Sequence, residues 1–240
     1  MIKQSFVFLD GIGFKGEKNI LLQVKDWGGF LKSDKVKGIS KKAKLYFDRK
    51  IVDARKELHS ENPDYFVGKL PKKEMWRLYG WFKDSVLFLD IETDSYGRII
   101  LNGMSDGYDS KLMVKGVNLD KEIFLKELEK YKLLVTFNGY SFDIPKIEKE
   151  FGIEIKKAHI DLKPLCVNLG WKGGLKEVEL LLGISRPQHL RGNPVDLWKA
   201  FHASGDKEYL DLLIAYNEED VINLKPVMEK TYQKLSSNFI

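Results

Sequence analysis

Residues 85–93 read SVLFLDIET. Four apolar residues, Val86 to Leu89, run straight into Asp90, and Glu92 follows two positions on. A short apolar run bounded by polar residues marks a central strand. Side chains alternate along a strand, so Asp90 and Glu92 share one face while Leu89 and Ile91 take the other. Two carboxylates on one half-buried face repel each other and lose hydration, so they need a cation or strong hydrogen bonds. Mg²⁺ or Mn²⁺, which prefer oxygen ligands, would compensate them. The other reading of a lone D-x-E is a strand-end acid that caps a helix or lies in solvent.

Elements alternate around this strand. Residues 94–97, DSYG, form a turn into a second strand at 98–104, and 111–115 read as a short third. Residues 119–131 carry apolar side chains at 119, 123, 124, 125, 128 and 131, a helical period. Strand 133–137, helix 144–151 and strand 158–162 follow. The rest is helical, at 174–182, 194–203 and 206–224, with the loop SRPQHLRGNP between the first two. The order predicts an α/β fold with a mixed sheet flanked by helices. A junction near residue 80 divides the chain into 1–80, small and mainly helical, and 81–240.

Two further stretches place acids near strand ends or on helices. In VTFNGYSFDIPKI (135–147) a buried strand ends at Phe137, Asn138 to Tyr140 make the turn, and Asp143 opens a helix. Asp143 fits two roles there: a first-turn acid on the helix dipole, or a third carboxylate at a strand exit, where α/β sites lie. In LLIAYNEEDVINL (212–224), Tyr216 and Asp220 are four apart and share a helical face, beside an apolar stripe. Glu218 and Glu219 are expected in solvent. Asp220 is either part of a metal site or the border residue of an ordinary amphipathic helix.

The bulk numbers narrow the class. With 240 residues, 43% apolar and 31% charged, the chain can bury a full core. No apolar run approaches the roughly 20 residues that span a bilayer, and MIKQSFVFLD has no signal-peptide pattern. Cys166 is the one cysteine, which excludes an internal disulfide and a cysteine-based zinc cluster. A reducing cytoplasm fits. His59, His189 and His202 show no metal-ligand spacing. The net charge of +5 is uneven: residues 1–80 hold 18 Lys+Arg against 10 Asp+Glu. This suits a polyanion partner, though a lysine-rich solvated surface accounts for the charge alone.

Together, FLDIET (88–93), N-x-x-x-F-D (138–143) and Y-x-x-x-D (216–220) resemble the three motifs of the DEDD superfamily. Those are 3′–5′ exonucleases with the ribonuclease H-like, DnaQ-like fold. Tyrosine four residues before the last Asp resembles the DEDDy branch. HIDL (159–162), GLKEVELLLGISR (174–186) and VDLWKAFHASGDKEYLDLLIAYNEEDVINL (195–224) are similar to the YprB-type ribonuclease H-like domain. The resemblance covers about residues 84–230. It departs where Asp94-Ser95 replace the usual Thr-Gly.

The resemblance implies two ions, Mg²⁺ or Mn²⁺, about 3.5–4 Å apart. Asp90 would touch both, Glu92 and Asp220 would hold the first, and Asp143 the second, directly or through water. Tyr216 would orient a water or help deprotonate it. The substrate would be DNA and/or RNA at single-stranded 3′ ends, released as nucleoside 5′-monophosphates. Asn138 would fix the turn or approach the terminal nucleotide, and Asp161 would support the site from behind or act as a cap. Phe142, Cys166 and the aromatics Trp76, Tyr79 and Trp81 are expected in the core, and His159 in a structural role. Lys172, Lys176, Arg186 and Arg191 are expected on a solvated surface, with phosphate guidance as the other reading.

FVFLDGIGFKGEKNILLQV (6–24) resembles half of a helix-hairpin-helix module. In that family the hairpin amides approach a nucleic-acid phosphate. Gly11, Gly13 and Lys15 would make that contact here; a purely structural cap is the alternative. Three activities stay open at this point: a 3′–5′ exonuclease, a structure-selective endonuclease, and a non-catalytic nucleic-acid-binding subunit. The sequence names no protein partner.

Overall fold

The computed structural model describes residues 1–191 and 193–239. Five strands form one sheet in the order β3-β2-β1-β4-β5: β1 (Val86–Thr93), β2 (Ile99–Ser105), β3 (Ser110–Val114), β4 (Leu133–Thr136) and β5 (Ala158–Asp161). β1 to β3 run antiparallel, while β4 and β5 lie parallel to β1 on its other side. The mixed sheet with flanking helices is the one expected.

The alternation in β1 sorts the two layers. Leu87, Leu89 and Ile91 pack with Phe124 and Leu128 of α5 (Lys121–Glu129) and Ile147 of α6 (Asp143–Phe151). Val86 and Phe88 face the other way, toward Leu165 and Cys166 of α7 (Leu162–Asn168) and Leu224, Val227 and Met228 of α10 (Lys207–Ser237). Asp90 and Glu92 continue this second face, under α10. The remaining elements there are α8 (Leu175–Leu181) and α9 (Pro194–Ser204). The loop expected at 185–194 contains a short 3₁₀ turn, Gln188–Arg191.

Two helices differ from expectation. α7 starts directly after β5 because Asp161 is its N-cap, accepting from the Lys163 amide. α10 continues thirteen residues beyond 224, through Pro226. Proline removes one ladder bond and ordinarily ends a helix. Here Val227, Met228 and Thr231 beyond it are fully buried, so packing outweighs that loss.

Residues 1–80 contain α1 (Phe14–Leu21), α2 (Trp27–Lys32) and α3 (Lys41–His59), and α4 (Tyr79–Phe82) leads into the sheet. Phe6, Trp27 and Ile51 belong to the same apolar core as Phe88, Val135 and Val227. Buried Arg77 ties this region together, bonding Glu17 at 2.7 Å, Glu74 at 2.6 Å and the Ser5 hydroxyl at 2.9 Å. The expected Gly-Ile-Gly turn leads into α1, with Gly13 as its N-cap. The amides of Phe6 and Val7 are taken by Glu17 Oε1 and the Ser5 carbonyl by the Trp27 indole, and residues 7–11 are held as turns after a short 3₁₀ helix, Ile2–Gln4. Trp76 and Tyr79 are buried as expected, whereas Trp81 is 40% exposed, its indole donating to the Leu58 carbonyl and its ring lying between His59 and Lys3 at the surface. Among the described residues, no helix is long and apolar enough to cross a membrane.

How closely α10 sits on the sheet depends on one glycine. Gly103 of β2 is the register partner of Asp90. A Cβ there would lie 2.1 Å from Asn217 Oδ1 and 3.0 Å from Val221 Cγ1. We expect Gly103→Ala to force α10 outward and to cost about 1–3 kcal/mol. Urea unfolding checks this, with a lower midpoint at unchanged slope as the expected result.

Candidate active site

The carboxylates meet where β1 outruns its neighbour. β4 pairs with β1 only as far as Phe88. Beyond that point the β1 edge is open, and the turn after β4 swings Asp143 onto it. Asp143 Oδ1 accepts from the Ile91 amide at 3.1 Å. On the face toward α10, one carboxylate oxygen each from Asp90, Glu92 and Asp220 lies within 4.8 Å of the others. Tyr216 stands one turn before Asp220 on α10, buried.

Three of the four acids have one oxygen fixed. The Asn217 amide donates to Asp90 Oδ2 at 2.8 Å, the Ile91 amide fixes Asp143, and Arg186 Nη2 donates to Asp220 Oδ1. Among the described residues, no hydrogen bond falls on the second oxygen of these three. Each therefore keeps one oriented oxygen for another ligand. Arg186 is itself clamped by Glu179 through two bonds of 2.8 Å, with side chains 4% and 2% exposed. Its Nη1, like Asn217 Oδ1, is buried and has no hydrogen-bond partner among the described residues.

Burial and mutual repulsion set the protonation of the group. Loss of hydration is the largest influence on each acid. Asp90 is pushed well above the usual carboxylate range, with Asp143, Asp220 and Glu92 adding to the shift. Glu92 rises to about 8 and Asp143 to about 7. Asp220 rises only to about 6, because Arg186 opposes the effect of burial. Burial, then Asp220 and Glu92, raise the Tyr216 phenol, which stays a proton donor. Lys176 Nζ sits 4.1 Å from the centre of its ring.

The other expected residues fall behind or outside this group. Asp161 Oδ1 accepts from the Asn138 amide at 2.7 Å and Oδ2 from the Tyr140 amide at 3.1 Å, so it pins the turn that leads to Asp143. Asn138 adopts a left-handed φ of 73°, which asparagine tolerates. His159 is buried against Thr136 and held neutral, its pKa lowered to about 3 by burial and then by Lys72. Cys166 is buried, as expected. Gly11, Gly13 and Lys15 are exposed on the turn before α1 and in its first turn.

Four expectations are corrected. Phe142 is 37% exposed rather than in the core, because it closes the turn just before α6, where Lys146 lies over its ring. Arg186 is enclosed between Glu179 and Asp220 rather than solvated. Lys176 is half-buried over Tyr216, while Lys172 is exposed and the Arg191 side chain lies outside the described residues. Glu218 and Glu219 are half-buried, accepting from the Ser110 hydroxyl and the Asn223 amide. Asn217, Gly103 and Glu179 escaped the sequence reading. Asn217 lies next to Tyr216 in the motif, but its partner is 127 positions away.

The RNase_H superfamily family model matches residues 87–232, which contain all four acids. The chain belongs to the RNase H superfamily. Within this RNase H superfamily protein the matched span starts inside β1 and ends in α10. Its fold is similar to the family B DNA polymerase from the hyperthermophilic archaeon Pyrobaculum calidifontis, with a TM-score of 0.46 and 19% identity. That similarity covers 60% of this chain and 24% of the polymerase chain, so the chain spans about a quarter of that protein. No match was found among curated protein sequences.

The donors fit a hard divalent cation. All are carboxylate oxygens, and three of them converge within 4.8 Å. Protonation gives a test. The four acids titrate above their unfolded values of about 4, so the folded protein holds more protons than the unfolded chain between about pH 4 and 8. Stability of the metal-free protein therefore falls as pH rises through that window. A cation that needs the ionised acids reverses the trend. We expect the melting temperature in EDTA to drop from pH 5 to pH 8. Mn²⁺ at a hundred times its Kd should restore about 2.7 kcal/mol at pH 8, and much less at pH 5, as read by calorimetry.

Proposed function

We propose that the protein is a metal-dependent 3′–5′ exonuclease of the DEDDy type, acting on single-stranded ends of DNA and/or RNA. One observation carries this reading: Asp90, Glu92 and Asp220 converge on one face of β1, with Asp143 on its open edge and a protonated Tyr216 one turn before Asp220. On this reading residues 81–240 form the nuclease domain and residues 1–80 a basic companion that shares its core.

Asp90, Glu92 and Asp220 would hold one Mg²⁺ or Mn²⁺, and Asp90 with Asp143 a second. When bound, such ions supply an activated water and neutralise charge on the leaving 3′-oxygen. The chain's own groups do the rest. Asn217 and the Ile91 amide fix the carboxylates of Asp90 and Asp143, so no reorganisation is needed when substrate arrives. Arg186 holds Asp220 Oδ1 and opposes the rise that burial gives its pKa. Tyr216, whose phenol is held protonated by burial and then by Asp220 and Glu92, would donate a hydrogen bond to the attacking water and orient it. Asp161 holds the turn through Asn138 and so sets the position of Asp143. Contact between Gly11, Gly13 and Lys15 and a nucleic-acid backbone remains a proposal on the exposure of that turn.

The test uses 5′-labelled single-stranded DNA and RNA with Mn²⁺ or Mg²⁺. We expect a ladder that shortens from the 3′ end and disappears with EDTA and in Asp90→Ala. A circular single strand should resist. Internal cuts or cleavage of the circle would instead establish an endonuclease, and intact substrate that is still bound would leave a binding subunit.

A further inference from the structure

Residues 1–80 share the core of the sheet, yet they leave an apolar groove open against it. The groove, of about 400 Å³, lies where α1, a 3₁₀ helix at Lys72–Leu78, the end of α7 and the last turns of α10 meet. Buried Trp76 and Leu165 form its floor, and half-buried Leu21, Leu235 and Phe239 form its sides. Phe14, 45% exposed, and Leu22, 75% exposed, stand at its mouth. Large apolar side chains left in water around a concave surface mark a contact site rather than a solvated face.

The charge that faces out of the groove is of one sign. Lys18 and Lys73 are exposed on its lining, and neither pairs with a carboxylate among the described residues. Lys73 Nζ lies 4.5 Å from the centre of the Phe14 ring, so a cation and the apolar mouth are presented together. Glu17 and Glu74 also line the groove, but both are buried and bonded to Arg77, so their charge is taken up inside the protein. Exposed Asn168 and Asn238 on the same lining can bond a peptide backbone. Each aromatic ring of the lining already has a cation over it, Lys73 over Phe14 and Arg77 over Trp76 and Phe239, and four leucines supply the rest of the apolar wall. Such a wall buries side chains better than it stacks bases.

We propose that this groove docks a partner protein through an acidic amphipathic segment, whose apolar side chains enter between α1 and α10 while its carboxylates meet Lys18 and Lys73. Apolar anchors seated in a pocket supply the affinity of such a contact, and the charges select the sign of the partner and speed the encounter. Leu235 lies fifteen residues past Asp220 on α10, about 22 Å along the helix axis. A partner seated there leaves the acids open, so it tethers the protein without blocking it. Docking at this groove goes beyond the exonuclease reading and does not depend on it.

The experiment selects displayed random peptides of about twelve residues, roughly three helical turns, against the full chain. Enriched peptides should combine several Asp or Glu with a pair of large apolar residues. A fluorescein-labelled peptide of that composition, followed by anisotropy in EDTA, should bind Leu22→Asp about tenfold more weakly than wild type, and the double variant Lys18→Glu, Lys73→Glu likewise. The same peptide with its acids changed to Lys should bind the double variant about tenfold more tightly than wild type, a gain that a folding defect does not produce. Val117→Asp, equally exposed on the turn after β3, should change nothing. Failure to enrich acidic, apolar peptides, or binding that Leu22→Asp and the charge reversal leave unchanged, overturns the proposal. Displacement of the peptide by oligothymidylate, whose own binding Leu22→Asp weakens equally, would make the groove a nucleic-acid surface and overturn it too. Peptide binding is read without substrate or metal, so loss of the exonuclease reading would leave a positive result standing.

Discussion

The structure depends on holding like charges together. Asp90, Glu92 and Asp220 converge within 4.8 Å, and Asp143 joins them from the open edge of β1. Without compensation, burial and repulsion would spread such a group or leave it protonated. The fold answers with fixed partners rather than with solvent. A side-chain amide holds Asp90, a backbone amide holds Asp143, and a guanidinium clamped by buried Glu179 holds Asp220. Each partner requires close packing. The Asn217 amide reaches Asp90 because the residue opposite Asp90 is glycine, and the Ile91 amide is open because β4 stops short.

The same constraint explains why α10 is long. Its first half brings Tyr216, Asn217 and Asp220 over β1. Its second half, beyond Pro226, packs into the core that residues 1–80 share with the sheet. The helix therefore ties the acidic group to the whole molecule, and Arg77 with Glu17 and Glu74 secures the far end of that core.

What the sequence showed was local. The β1 run, the strand-turn-helix at 133–151 and the Tyr216–Asp220 spacing each carry their signal locally, and the fold brings the acids of all three together. Long-range contacts left no such trace. Asn217 finds Asp90, Arg186 finds Asp220, and Gly103 makes room for Asn217; each is meaningful only once the sheet and helix have met. Arg186 read as a surface residue because periodicity reports burial of apolar side chains, not of paired charges. α10 read as ending at 224 because proline is a strong local stop, whereas buried Val227 and Met228 outweigh it only in three dimensions. Gly11 and Gly13 looked like half of a hairpin. Residues 7–11 are turns after a short 3₁₀ helix, fixed by Glu17 and Trp27 from farther along the chain.

The central claim is that these acids form a divalent-cation site with one oriented oxygen from each fixed residue. The most direct measurement is anomalous diffraction at the manganese edge from crystals soaked in Mn²⁺ near pH 8. The account predicts anomalous density bound by Asp90 Oδ1, Asp220 Oδ2 and Glu92, with Asn217 and Arg186 still on the opposite oxygens. A cluster free of anomalous density at saturating Mn²⁺, with the carboxylates unchanged, would contradict it.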